Sequence, residues 1–87
     1  MDKLSDLINI GKIIEKQLVQ VGIKTYSDLK NAGSRNAWLK IQEIDSSACY
    51  HRLCGLEGAI QGIRWHNLPK KEKIELKEFY DLHKIVK

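Results

Sequence analysis

The sequence predicts an all-α fold, a compact single domain of about six short helices spanning residues 1–87. Three observations carry that prediction. No segment alternates apolar and polar residues as a half-buried strand does, and the one proline, Pro69, leaves long stretches free to be helical. Apolar residues recur at spacings of three and four, the period of a helix face. The first half also writes Leu-x-Asn-x-Gly twice, at Leu7 to Gly11 and, 22 residues on, at Leu29 to Gly33, so sharp turns separate the helices.

The first helix is expected over about residues 3–8. Asn9 and Gly11 both tolerate positive φ, so the chain turns there. A second helix then runs from Lys12 to Val21 and is stopped by Gly22. Thr25, with Asp28 three residues later, makes an approximate capping box for a third helix that reaches about Lys30. After a turn over Asn31 to Gly33, Ser34 caps a fourth helix holding Ala37, Trp38, Leu39, Ile41 and Ile44. Asp45, Ser46 or Ser47 caps the fifth, which extends to about Arg64. The sixth starts at Pro69, a residue suited to a first helical turn, and runs to the C-terminus, where Lys84 and Lys87 lie near the negative end of its dipole.

With 43% hydrophobic and 30% charged residues, the chain has the balance of a folded globular domain and is expected to fold without a cofactor. Its net charge of +4 is spread evenly, with 7 basic and 5 acidic groups in residues 1–43 against 8 and 6 in residues 44–87. A basic total fits a nucleic-acid partner only where the cations cluster. Asp2, Lys3 and Asp6 open the chain where a signal peptide needs apolar residues, and no apolar run approaches membrane-spanning length. Cys49 and Cys54 stand about 140° apart around a helix axis, so no disulfide is expected between them. These features point to the cytoplasm, with both cysteines as free thiols.

Leu7-Ile8-Asn9-Ile10-Gly11, followed by Leu18, resembles the helix-hairpin-helix pattern Leu-Pro-Gly-Ile-Gly with a later aliphatic residue, Asn9 replacing the first glycine. The second copy keeps a small residue, Ala37, but has Lys40 where an aliphatic is expected, with Ile41 one later. In that family the N–H groups of the hairpin hold a DNA phosphate, and paired hairpins grip the backbone without reading bases. Lys12 and Lys16 follow the first turn and Arg35 follows the second, as phosphate binding would require. The same Asn and Gly residues also serve as plain left-handed corners.

Cys49, Leu53, Leu56, Ile60 and Ile63 form one apolar stripe and mark the fifth helix as the core helix. Gly55, Gly58, Ala59 and Gly62 give it a second face of small residues, where close approach by another helix of the domain is expected. Glu57 and Arg64, seven apart at the edge of the stripe, read as a structural pair holding neighbouring segments; a catalytic carboxylate would need a second acid or nucleophile beside it. Cys49, His51, Cys54, His66 and His83 lack the paired spacing of a zinc site, so no metal is expected. On the sixth helix Lys70, Lys73, Lys77 and Lys84 form a row, which either tracks a phosphate backbone or is a solvated face, given Glu72, Glu75 and Glu78 close by.

The run Leu56-Glu57-Gly58-Ala59-Ile60-Gln61-Gly62-Ile63-Arg64-Trp65-His66-Asn67-Leu68-Pro69 is similar to the C-terminal domain of the TfoX (Sxy) family. Leu7 to Gly11, Leu18, Val21-Gly22-Ile23, Thr25, Asp28-Leu29 and Gly33 resemble the same family's pattern, so the resemblance spans about residues 4–82. It implies a bacterial cytoplasmic protein related to regulators of competence and DNA uptake, with an all-helical domain similar to helix-hairpin-helix folds. It does not imply an active site. Full-length members carry a preceding N-terminal domain, which this chain lacks, so it reads as a stand-alone or divergent version.

The leading expectation is a non-enzymatic regulator that touches the DNA backbone through Asn9, Gly11, Lys12 and Lys16 in one hairpin and Asn31, Gly33, Ser34 and Arg35 in the other. The alternative is a protein-interaction module or homodimer with no direct DNA binding, anchored by Trp38, Trp65, Tyr26 and Tyr50. There is no P-loop, metal constellation or nucleophile elbow, so no catalytic residue, cofactor or small-molecule substrate is expected.

Overall fold

The computed structural model describes residues 4–84; the expected start of the first helix at residue 3 and the expected end of the sixth over residues 85–87, Lys87 included, lie outside them. The described chain forms five α-helices and no strand: α1 (Lys12–Gln20), α2 (Tyr26–Ala32), α3 (Ser34–Ile44), α4 (Tyr50–Gln61) and α5 (Lys70–His83), with 3-10 turns at Leu4–Asp6 and Trp65–Asn67. The expected first helix is thus only the Leu4–Asp6 turn. So few residues ahead of the Asn9 corner cannot repay helix nucleation, and buried Leu4 anchors the segment instead.

α1 and α4 end in the same way. Gly22 (φ +90°) and Gly62 (φ +77°) take left-handed conformations, and the next residue's N–H reaches back to a carbonyl five positions earlier, Ile23 to Leu18 at 2.8 Å and Ile63 to Gly58 at 2.9 Å. These are Schellman closures, which satisfy carbonyls the helix leaves open. Gly62 therefore stops α4 three residues before the expected end at Arg64, rather than belonging to a packing face. α4 also starts later than expected. Asp45 spends its carboxylate on the Ser47 N–H and hydroxyl, on Gln17 and on Arg52, so it shapes the connection and Cys49 takes the N-cap position.

Thr25 caps α2 as expected, its Oγ1 accepting from the Asp28 N–H at 3.0 Å. The helix runs on to Ala32, past the expected Lys30, so Asn31 is helical. Gly33 alone joins α2 to α3, at φ +83° and ψ 157°, a conformation open to glycine. The N-cap position of α3 is Gly33 rather than Ser34, because the Ser34 hydroxyl is turned inward.

α4 lies at the centre and packs against α2, α3, α5 and the Trp65–Asn67 turn. Leu53 and Leu56 are buried, as the apolar stripe predicts for its middle, and so are Cys54 and Ala59, which lie outside the stripe; Ile60 and Ile63 are half-buried and Cys49 sits at the helix start. Trp38 of α3 is fully buried, edge-on to Phe79 and Tyr80 of α5, and donates its indole N–H to the Cys49 carbonyl at 3.1 Å. It is a core residue and not an interface anchor. The small-residue face of α4 is covered by the Asn9 corner and the returning chain at 63–65, not by another helix: a Cβ on Gly58 would lie 2.5 Å from Asn9 Nδ2 and 2.7 Å from the Ile63 carbonyl oxygen.

Candidate nucleic-acid interface

Where the first hairpin is expected, the chain makes a left-handed corner at Asn9 (φ 70°) followed by extended Gly11 (φ −92°), which needs no glycine conformation of its own. The Asn9 side chain faces the protein. Its Nδ2 donates to the carbonyls of Ile63 (2.9 Å) and Gly55 (3.4 Å), and its Oδ1 accepts from the Trp65 N–H at 3.4 Å. Asn9 therefore fastens the hairpin to the end of α4. What points outward is the start of α1: Gly11 provides no side-chain cap, and Lys12 and Lys16 are exposed. The two lysines lie close together on the face of α1 turned away from buried Leu18, and neither forms an ion pair among the described residues. The nearby Glu15 accepts from the Ser5 N–H at 3.0 Å.

The Gly33 connection, where the second hairpin is expected, differs in its electrostatics. Ser34 is buried, and its hydroxyl donates to Glu57 Oε1 at 2.6 Å. Gln61 Nε2 donates to the other Glu57 oxygen at 2.6 Å and to Glu72 at 3.1 Å, tying α4 to α5. Arg35 lines a small pocket of about 80 Å³ with Glu57, Glu72 and Glu75, and its guanidinium carbon stands 5.8 Å from the Phe79 ring centre. A phosphate approaching here would meet three carboxylates. Glu57 takes Ser34 and Gln61 as partners, and the ion pairs among the described residues do not join it to exposed Arg64. The Asn9 corner and the start of α3 thus dock on the same half of α4, one through Asn9 and the other through Ser34.

A third cationic region lies along α5. Lys70, Lys73 and Lys77 line an open cleft of about 320 Å³ together with Tyr50, Ile74 and Glu78. Lys73 donates to the His66 carbonyl at 2.7 Å, while Lys77 and Lys84 share Asp81 at 3.0 and 3.4 Å. The two lysines hold the Asp81 carboxyl below its usual range, the Lys77 hydrogen bond having the largest effect. Sequence spacing placed these lysines in a row but did not reveal the rings beside them. Tyr50, His51, Trp65 and His66 come from two segments and meet only because Gly62 turns the chain back along α4.

Across the fold, Arg52 bonds Asp45 at 3.1 Å, and Gln17 of α1 donates to the same carboxylate at 2.8 Å. Hydrogen bonds from Ser47 first, then Gln17 and Arg52, hold the Asp45 carboxyl well below the usual range. Among the described residues no group of three His, Cys, Asp or Glu side chains converges on a metal position, and no helix is long and apolar enough to cross a membrane.

Residues 1–80 match the family model described as the TfoX C-terminal domain. Protein Sxy of Escherichia coli (strain K12) is 36% identical over 80 residues, which cover 92% of this chain and 38% of that protein. The chain therefore spans well under half the length of that relative. A crystal structure of an uncharacterized protein from Listeria monocytogenes, in a triclinic form, is similar with a TM-score of 0.88 and 55% identity over 91% of each chain. A tetragonal form of a protein of unknown function from Listeria monocytogenes also has a TM-score of 0.88, with 54% identity over 91% of this chain and 96% of the other.

Proposed function

The chain belongs to the TfoX C-terminal domain family, and from that premise we propose that it is a cytoplasmic, non-enzymatic regulatory domain of the competence and DNA-uptake type, acting through weak contact with the DNA backbone. The observation that carries the contact is the first hairpin, where an uncapped helix start is exposed beside Lys12 and Lys16, neither of them in an ion pair among the described residues. Uncapped backbone N–H groups and exposed cations together suit a phosphate. The second hairpin has the wrong charge for this role: Ser34 is committed to Glu57, and Arg35 stands among three carboxylates. The commitment of Glu57 to Ser34 and Gln61 also supports a structural rather than a catalytic carboxylate.

Contact at one hairpin neutralises one or two phosphates, so binding to duplex DNA is expected to be weak and sequence-independent, with a log–log salt slope of about −1 to −2. A labelled duplex titrated at low salt tests this. Saturation at micromolar protein that is lost in the Lys12→Glu, Lys16→Glu variant supports the reading; no binding at high micromolar protein overturns it.

A second reading, a protein-interaction module, is favoured by α5, where Ile74 and Leu82 are 51% and 80% exposed. Size-exclusion chromatography with light scattering distinguishes the two. The DNA reading expects a monomer, and a stable homodimer would favour the alternative.

A further inference from the structure

We infer that the ridge of rings between α4 and α5 is a stacking platform for unpaired bases, so that the preferred ligand is a single-stranded nucleic acid rather than a duplex. This rests on the nucleic-acid reading above and adds a second surface to it. The rings run in sequence: Tyr80 to Tyr50 at 6.1 Å, Tyr50 to His51 at 5.7 Å, His51 to Trp65 at 5.0 Å, and Trp65 to His66 at 3.9 Å, the last pair stacked at 28°. His51 and His66 are exposed, and Tyr50, Trp65 and Tyr80 are half-buried. Tyr50, Trp65 and Tyr80 pack against the core yet stay partly exposed, and His51 and His66 extend the same surface into solvent.

The surroundings select the ligand. On one side of the ridge is the cleft of about 320 Å³ edged by Lys70, Lys73 and Lys77. On the other is a cleft of about 300 Å³ lined by Trp65, His51, Arg52, Cys49 and the Asn9 corner. Lys73 stands 5.9 Å from the Trp65 ring centre, and Lys77 stands 5.7 and 5.3 Å from those of Tyr50 and Tyr80. The rings are tilted to one another by 53–60° except for the Trp65–His66 pair, and lysine ammoniums stand over Trp65, Tyr50 and Tyr80; rings and cations on one surface match a strand that offers base faces and phosphates together. A duplex buries its base faces and would use only the lysines. Glu78 is the acid among the residues lining the first cleft, and Asp81 is already shared by Lys77 and Lys84. An acidic peptide would satisfy the lysines and leave the rings unused.

Fluorescence anisotropy of labelled oligothymidine and oligouridine, against a duplex of equal length, tests the platform. Trp65 is the reporter, because Trp38 is fully buried and shielded from a surface ligand. The expected result is tighter binding of a single strand than of the duplex, with quenching of tryptophan emission, and the ratio between the two single strands identifies DNA or RNA as the source. His51→Ala and Lys70→Glu, both at exposed positions, are each expected to weaken single-strand binding by about fivefold or more without altering the far-UV spectrum. Duplex binding as tight as single-strand binding, without quenching, would overturn the platform and leave the backbone contact standing. Equal competition by polyglutamate would also overturn it, and failure of both single strand and duplex to bind removes the nucleic-acid reading as a whole.

Discussion

Gly55 and Gly58 sit on the same face of α4, yet a methyl group at each meets different surroundings. At Gly58 the added carbon would lie 2.5 Å from Asn9 Nδ2, 2.7 Å from the Ile63 carbonyl oxygen and 3.2 Å from the Trp65 nitrogen. The Asn9 amide can swing away only by losing its hydrogen bonds to Gly55 and Ile63, and the Ile63 backbone is held by its N–H, which closes the helix on the Gly58 carbonyl. At Gly55 the nearest atoms are 3.6 and 3.7 Å away, ordinary contact distances. Replacing a helical glycine by alanine gains about 1 kcal/mol when nothing obstructs it, whereas overpacking costs about 1–3 kcal/mol. Urea unfolding should therefore show Gly55→Ala at or above the stability of the parent chain and Gly58→Ala below it by about 2 kcal/mol. Two glycines that look equivalent as small helical residues separate once the partner of each is known.

The join between α4 and α5 depends on a proton. Tyr50 donates its hydroxyl to the Lys73 carbonyl at 3.0 Å, and burial first, then the Cys54 thiol, pushes its pKa up from 10.0 to about 12. The folded chain thus keeps a proton that the unfolded chain releases near pH 10, so this contribution is intact below pH 10 and is lost as pH rises towards 12. Tyr50→Phe is expected to cost about 1 kcal/mol at neutral pH. The gap between parent and variant should shrink when urea midpoints are measured between pH 10 and 12; a gap independent of pH would mean that the hydroxyl contributes nothing through its proton. At the start of α4 the sign reverses. The Asp45 carboxyl is held below its usual 3.8 by Ser47, Gln17 and Arg52, so the connection it organises is weakened as pH falls below that value.

Over the whole molecule, what the sequence made legible is what local rules decide. Gly22 was readable as a stop because Thr25 opens the next helix just beyond it, whereas Gly62, with the same left-handed geometry, was hidden among Gly55 and Gly58 at helical spacing. Asn9 was readable as a corner, but its grip on Gly55 and Ile63 spans 46 and 54 positions and leaves no local trace. The acidic setting of Arg35 likewise arises only when α5 brings Glu72 and Glu75 beside Glu57. The even spread of charge along the chain therefore says little about its spread in space, and a matched pair of substitutions can separate the two. Lys12→Glu and Lys40→Glu each lower the net charge of +4 by the same two units, at exposed positions on α1 and α3. If duplex binding followed total charge, both would weaken it alike. A contact seated at the first hairpin expects Lys12→Glu to reduce affinity several-fold and flatten the salt slope by about one, with Lys40→Glu close to the parent when both are titrated at the same ionic strength. Equal losses in the two variants would place the attraction in the overall field of the protein and remove the hairpin as its seat.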